Sequence, residues 1–142
     1  MYRLTITLLF LIAFTPLTWA ARYGQVQVAE IVSVYDADTF RVNIQGWPPV
    51  VGHNVPIRVS GIDAPEVRAR CHQEKVMALL ARAQTRNLLS KAKQVELREI
   101  RRGKYFRLLA DVWIDGQRLS QQLITAGLAR PYDGGKREGW CP

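Results

Sequence analysis

The chain has 142 residues, 48% of them hydrophobic, which allows one domain around one core and excludes a multidomain architecture. Its 20 Lys and Arg against 12 Asp and Glu leave a formal charge of +8. That excess points to a polyanionic partner (nucleic acid, an acidic membrane or an acidic glycan), or to nothing more than a soluble basic surface.

Residues 1–20 read as a secretion signal. Arg3 supplies the positive start, residues 4–14 are apolar, Pro16 breaks the run, and Thr18-Trp19-Ala20 ends in a small residue suited to cleavage. The apolar run is short of the roughly 20 residues of a membrane span; an uncleaved anchor is the competing reading. The domain then covers residues 21–142. With no second apolar run, stable membrane association is not expected, and a monomer exported to the periplasm or secreted is. In an oxidising compartment Cys71 and Cys141, the only cysteines, have one intramolecular pairing. Two free thiols are the alternative.

Residues 25–35 alternate Val26, Val28, Glu30, Val32 and Val34 with polar positions, the period of a strand. Asp36-Ala37-Asp38 turns the chain into a second strand over 39–44. A loop follows from Gly46 to Asn54, then a third strand over 55–62. From about 73 to 92 the period becomes helical: Met77, Ala81, Leu88 and Ala92 line one face, flanked by Ala78, Thr85 and Leu89. Lys75, Arg82, Arg86 and Lys93 form a stripe elsewhere, either a track for phosphates or a solvated face. Residues 93–101 and 105–114 read as strands four and five. Asp115-Gly116 carries a hairpin signal, but residues 119–127 look like a short helix closed by Gly127. The order predicts an α+β, mainly β fold: a five-stranded OB-fold-like barrel with a helix between strands 3 and 4 and a short C-terminal helix.

The third strand ends in Arg58-Val59-Ser60-Gly61-Ile62-Asp63-Ala64-Pro65-Glu66. On a regular strand Arg58 and Asp63 face opposite sides, and they converge only if the chain bends near Gly61. A guanidinium beside two acids serves either phosphate and metal chemistry or a buried structural salt bridge. Asp38, Asp63 and Glu66, with Asp36 nearby, sit at element ends and offer hard oxygen ligands suited to Ca²⁺ or Mg²⁺. Glu66 is placed to take a proton from water. Arg58 and Arg107 are candidates to neutralise a phosphorane, since a planar fork matches two phosphate oxygens. An internal salt bridge remains the alternative for each.

Three blocks resemble the staphylococcal-nuclease-like (thermonuclease) family. Val34-Tyr35-Asp36-Ala37-Asp38-Thr39 is similar to its D-G-D-T turn, Arg58 to Glu66 to its R-x-x-x-x-D-[TA]-P-E motif, and Lys104-Tyr105-Phe106-Arg107-Leu108-Leu109-Ala110 to its K-Y-G-R-x-L-A block. A weaker likeness covers Leu123 to Ala129. The resemblance implies a Ca²⁺-dependent endonuclease on an OB-fold barrel that cuts DNA and RNA with little sugar specificity and leaves 3′-phosphate ends. It implies Asp38, Asp63 and the backbone carbonyl of Ala64 as metal ligands, Arg58 and Arg107 as phosphate-stabilising arginines, and Glu66 as general base. Lys104 and Tyr105, beside Arg107, are carried as substrate-binding candidates. Ala37 and Phe106 depart from the family's glycines, and the family's C-terminal helix is reduced to a tail. The competing function is a catalytically silent OB-fold module that binds nucleic acid or a protein.

Overall fold

Where the chain bends decides the architecture. The computed structural model describes residues 23–142, so the expected export signal lies outside the described residues. Eleven elements follow one another: β1 (Val26–Asp36), β2 (Thr39–Ile44), α1 (Pro49–Gly52), β3 (Val55–Val59), β4 (Ile62–Asp63), α2 (His72–Lys91), β5 (Val95–Arg102), β6 (Leu108–Ile114), β7 (Gln117–Arg118), α3 (Leu119–Thr125) and β8 (Arg130–Pro131). The sheet runs β3-β2-β1-β5-β6, and β3 also pairs with β6, in parallel, so the five strands close into a barrel. This is the OB-type order expected, with α2 between the third and fourth barrel strands.

Alternation fills the barrel. Phe40, Val42 and Ile44 of β2, Ile57 and Val59 of β3, and Ala110 and Val112 of β6 are buried on one face. Phe40 is completely buried, and cutting it to alanine would cost roughly 3–5 kcal/mol. The helix α2 caps the barrel through Ala78, Ala81, Thr85 and Leu89. Met77, Leu88 and Ala92 lie at the margin of that face, not at its centre. The basic stripe divides: Arg86 Nη2 donates to the Val34 carbonyl at 3.2 Å, while Lys75 is exposed.

Four local expectations are corrected. The alternation of β1 does not hold, because register shifts between Val28 and Glu30 and between Ile31 and Ser33 leave Val32 exposed and Ile31 half-buried. The loop before Asn54 contains α1, which opens on Pro49 and needs Gly52, since a Cβ there would lie 2.5 Å from Trp47 Cβ. The fifth strand starts at Leu108, not at 105. Lys104–Phe106 form a 3-10 turn in which Tyr105 and Phe106 have φ of 56° and 58°. Arg107 N–H closes that turn on the Lys104 carbonyl at 3.1 Å, and a Cβ on Gly103 would approach the Arg107 carbonyl to 3.0 Å. Asp115-Gly116 does make a hairpin, with both φ positive, onto the two-residue β7. The expected helix α3 follows directly. Leu128 N–H bonds the Leu123 carbonyl and Gly127 N–H that of Ile124, the pattern of a glycine-terminated helix.

Candidate active site

One end of the barrel gathers the acids. The Asp38 carbonyl accepts the Val59 N–H at 2.9 Å, which fixes the β1–β2 turn against the end of β3. Ala37 sits in this turn completely buried, without a left-handed backbone, and its carbonyl accepts the Thr85 hydroxyl at 2.9 Å. Ala37 is thus tied to α2 through its carbonyl. Gly61 takes φ of +79° and turns the chain back. Asp63 therefore returns towards Arg58: the Arg58 Nη2 lies 3.8 Å from Asp63 Oδ1 and donates to the Ile62 carbonyl at 3.2 Å, while Nη1 contacts Asp38 Oδ2.

Asp38 and Asp63 are 5% and 4% exposed, a depth at which an unpaired carboxylate is costly. Neither is unpaired. Asp38 also accepts the Thr39 hydroxyl and the Ala64 N–H, each at 3.0 Å. Asp63 is held from the C-terminal tail: Arg137 Nε donates to Oδ1 at 2.5 Å, Arg137 Nη2 also contacts Oδ1, and Trp140 Nε1 donates to Oδ2 at 3.0 Å. Arg137 Nη1 reaches Glu66 Oε1 at 2.6 Å. Burial works against the charged guanidinium of Arg137, but the hydrogen bonds of Glu66 and Asp63 outweigh it and raise its pKa above the ordinary arginine value. Asp36 accepts the Val67 N–H at 3.0 Å. Burial pushes its carboxyl up from the ordinary value, and the charges of Asp38 and Glu66 push the same way against Val67 N–H and Arg82.

A cleft of about 880 Å³ opens over this corner, walled by Asp38, Arg58, Glu66, Lys104, Arg107 and Arg137. Asp63 lies beneath Arg137 and Trp140. Tyr105, 84% exposed, faces an adjoining hollow of about 430 Å³ that shares Tyr35 and Arg107 with the cleft. A larger groove of about 1120 Å³ also borders Arg58; its acids are Glu99, Asp111 and Asp133, of which Asp111 is bonded to Arg118, and Asp38, Asp63 and Glu66 do not line it. The expected residues Asp38, Arg58, Asp63, Glu66, Lys104 and Arg107 thus meet at one place. Ala64 contributes its N–H to Asp38 there.

Sequence reasoning missed Arg137 and Trp140. The signal was present in the cysteine pairing. Cys71 and Cys141 are bonded, with Cα atoms 5.9 Å apart, and this ties a Lys136-Arg137-Glu138-Gly139-Trp140 tail to a point five residues beyond Glu66. Glu74 adjoins both sulfurs, but a disulfide offers no thiolate to a metal. The Asp38, Asp63 and Glu66 oxygens, by contrast, are hard donors, and two guanidiniums already rest against them. That corner suits a hard cation such as Ca²⁺.

The fold and site define an OB-type barrel with a cleft that gathers acids and arginines at one end. The family model for the staphylococcal nuclease homologue matches residues 56–138, more than half of the chain, and the chain belongs to that family, whose domain is of the nuclease type. The matched segment contains Arg58, Asp63, Glu66, Arg107 and Arg137; Asp38 precedes it and joins the site through the fold. None of the curated proteins compared matches the chain.

Proposed function

We propose that this protein is an exported, Ca²⁺-dependent endonuclease that hydrolyses phosphodiester bonds of DNA and RNA with little sugar specificity and leaves 3′-phosphate ends. The observation that carries the reading is the meeting of Asp38, Arg58, Asp63, Glu66 and Arg107 around one cleft. Residues 21–142 are the exported domain in this reading. The disulfide, a bond that persists in oxidising compartments, supports export. The cleft walls are charged groups suited to phosphate, which DNA and RNA share.

Asp38, Asp63 and the Ala64 carbonyl would hold Ca²⁺, which when bound supplies Lewis-acid polarisation of a phosphate oxygen. The remaining chemistry belongs to the side chains. Glu66, with its side chain 48% exposed at the cleft, takes a proton from water. The water oxygen bonds to phosphorus as the bond from phosphorus to the 5′-oxygen breaks. The leaving 5′-oxygen takes its proton from solvent. Arg58 and Arg107 neutralise the charge that builds on the phosphate oxygens. Lys104 and Tyr105 flank the substrate.

The test is cleavage of plasmid DNA and of RNA by the purified protein with Ca²⁺ and with EGTA, beside Glu66→Gln and Arg107→Ala. Expected is Ca²⁺-dependent cleavage, lower by roughly 10²–10⁴-fold in each variant. Cleavage undiminished in both variants would refute the assignment. A gel shift of nucleic acid without cleavage would establish the binding-only module instead.

A further inference from the structure

The tail touches the acids by a route the reaction does not require. Arg137 lies on Asp63 and Glu66 at once, Trp140 takes the second oxygen of Asp63, and the Cys71–Cys141 bond holds the segment in place. Further contacts shape this approach. Arg130 stacks over the Trp140 ring at 3.8 Å and donates to the Gly139 carbonyl at 3.1 Å, and the Tyr132 hydroxyl donates to the Gly135 carbonyl at 2.9 Å. The chain reaches the site because β8 pairs with β4, so that Arg130 stands opposite Asp63 itself.

We propose that Arg137 is the resident counter-ion of the metal-binding acids, delivered by the disulfide-anchored tail, and that it sets the calcium affinity of the site by competing with the ion for Asp63. This rests on the calcium reading proposed above. A guanidinium on both Oδ1 and Glu66 and an indole N–H on Oδ2 leave Asp63 with both oxygens engaged. An ion that takes Asp63 must displace at least the guanidinium. Two sites that compete for one group are coupled, and such couplings usually amount to 5–150-fold in affinity. The disulfide contributes through effective concentration: it keeps Arg137 beside Asp63 after each displacement, so competition is intramolecular.

The prediction separates this role from a merely structural one, because two readouts move in opposite directions. Arg137→Ala should bind Ca²⁺ roughly tenfold more tightly than the wild type in a calorimetric titration. Without Ca²⁺ the same variant should melt at a lower temperature, since Asp63 and Glu66 have lost their cation. Arg137→Lys should fall between the two. The pair Cys71→Ser with Cys141→Ser should also tighten Ca²⁺ binding. Adding Arg137→Ala to that pair should give little more, because both changes act on one competition. Arg137 is exposed, so its loss leaves the core intact, and circular dichroism checks the fold. Calcium affinity unchanged or weaker in Arg137→Ala, with the wild type binding Ca²⁺, would overturn this inference and leave the proposed function standing. Calcium bound by neither protein would overturn the calcium reading and this inference with it.

Discussion

Replacing both cysteines with serine tests how the C-terminal tail is held. The bridge spans 70 positions, and the chain-entropy model for a loop of that length gives about 4 kcal/mol through the unfolded chain. The folded state returns part of this. When the bond is absent, the segment beyond Tyr132 is kept by a few polar contacts: Arg137 on Asp63 and Glu66, Trp140 on Asp63, Arg130 on Trp140 and the Gly139 carbonyl, and the Tyr132 hydroxyl on the Gly135 carbonyl. Contacts of this kind contribute about 1 kcal/mol each, less where exposed to water. Ordering a residue's backbone costs about as much. The last residues therefore fray, and the net loss should be roughly 3 kcal/mol, below the full loop value. At about 4 °C per kcal/mol for a domain of this size, Tm should fall by roughly 12 °C. Calorimetry in calcium-free buffer, with reversibility checked, measures it. A fall under about 3 °C would refute the reasoning, because the unfolded-chain term would then be nearly cancelled.

Asp36 gives a pH signature. Its carboxyl is raised above the ordinary 3.8, so the stability it lends is present in full below that value, when it is protonated, and is lost as pH rises through the raised folded value. Asp36→Asn keeps an oxygen for Val67 N–H and should raise Tm at pH 7 in calcium-free buffer, the gain vanishing below about pH 3.8; a gain equal at both pH values would contradict it. Phe106→Gly removes a bulky side chain from a φ of 58° and should stabilise by about 1 kcal/mol, because the ring is 85% exposed and little burial is lost; a lower Tm would count against strain there. Nucleic-acid binding should weaken steeply from about 50 to 200 mM salt, and Lys104→Ala should make the slope of log affinity against log salt shallower by about one, whereas an unchanged slope would remove Lys104 from the phosphate contacts.

Most of the fold was legible because its signals are local. The turn at 36–38 and the loop from Gly46 set off β2 and β3, period 3.6 marked α2, and Gly61 announced the bend that joins Arg58 to Asp63. What was not legible depends on pairing. The β1 register shifts follow from the partner strand, and no residue of β1 advertises them. The gap from Leu97 to Ile100 in β5 has the same origin, a register shift between Arg98 and Arg101 with Glu99 at φ of 53°. Tyr105 and Phe106 have strand-forming side chains, yet the closure of their turn by Gly103 and Arg107 overrides propensity. Within the candidate site, the fold brings the motif residues to one corner, and Arg137 joins them without a motif. It lies 74 positions from Asp63, and the β4–β8 pairing and the disulfide together bring it there.

The sequence left open whether Arg58 is a structural ion pair or part of a phosphate site, and its contacts alone do not decide, since they satisfy both. The company of Arg58 supports the phosphate role proposed above. A buried ion pair is weak support for a fold, because apolar residues of similar volume stabilise as well or better. Here Asp36, Asp38, Asp63 and Glu66 crowd one end of a small barrel, and burial, with the charges of Asp38 and Glu66, pushes the Asp36 carboxyl up from its ordinary value. Two arginines, one from β3 and one from the chain's far end, are drawn in to balance them, while Arg107 lines the same cleft with its Nε only 3.5 Å from its own turn's Lys104 carbonyl. Selection for stability alone removes such a cluster; it does not assemble one from four separate segments. Concentrated, costly charge of both signs beside an open cleft is the pattern expected where the charges act on something else. On a molecule with a net charge of +8, the nucleic acid proposed above would meet the basic surface and the cleft together.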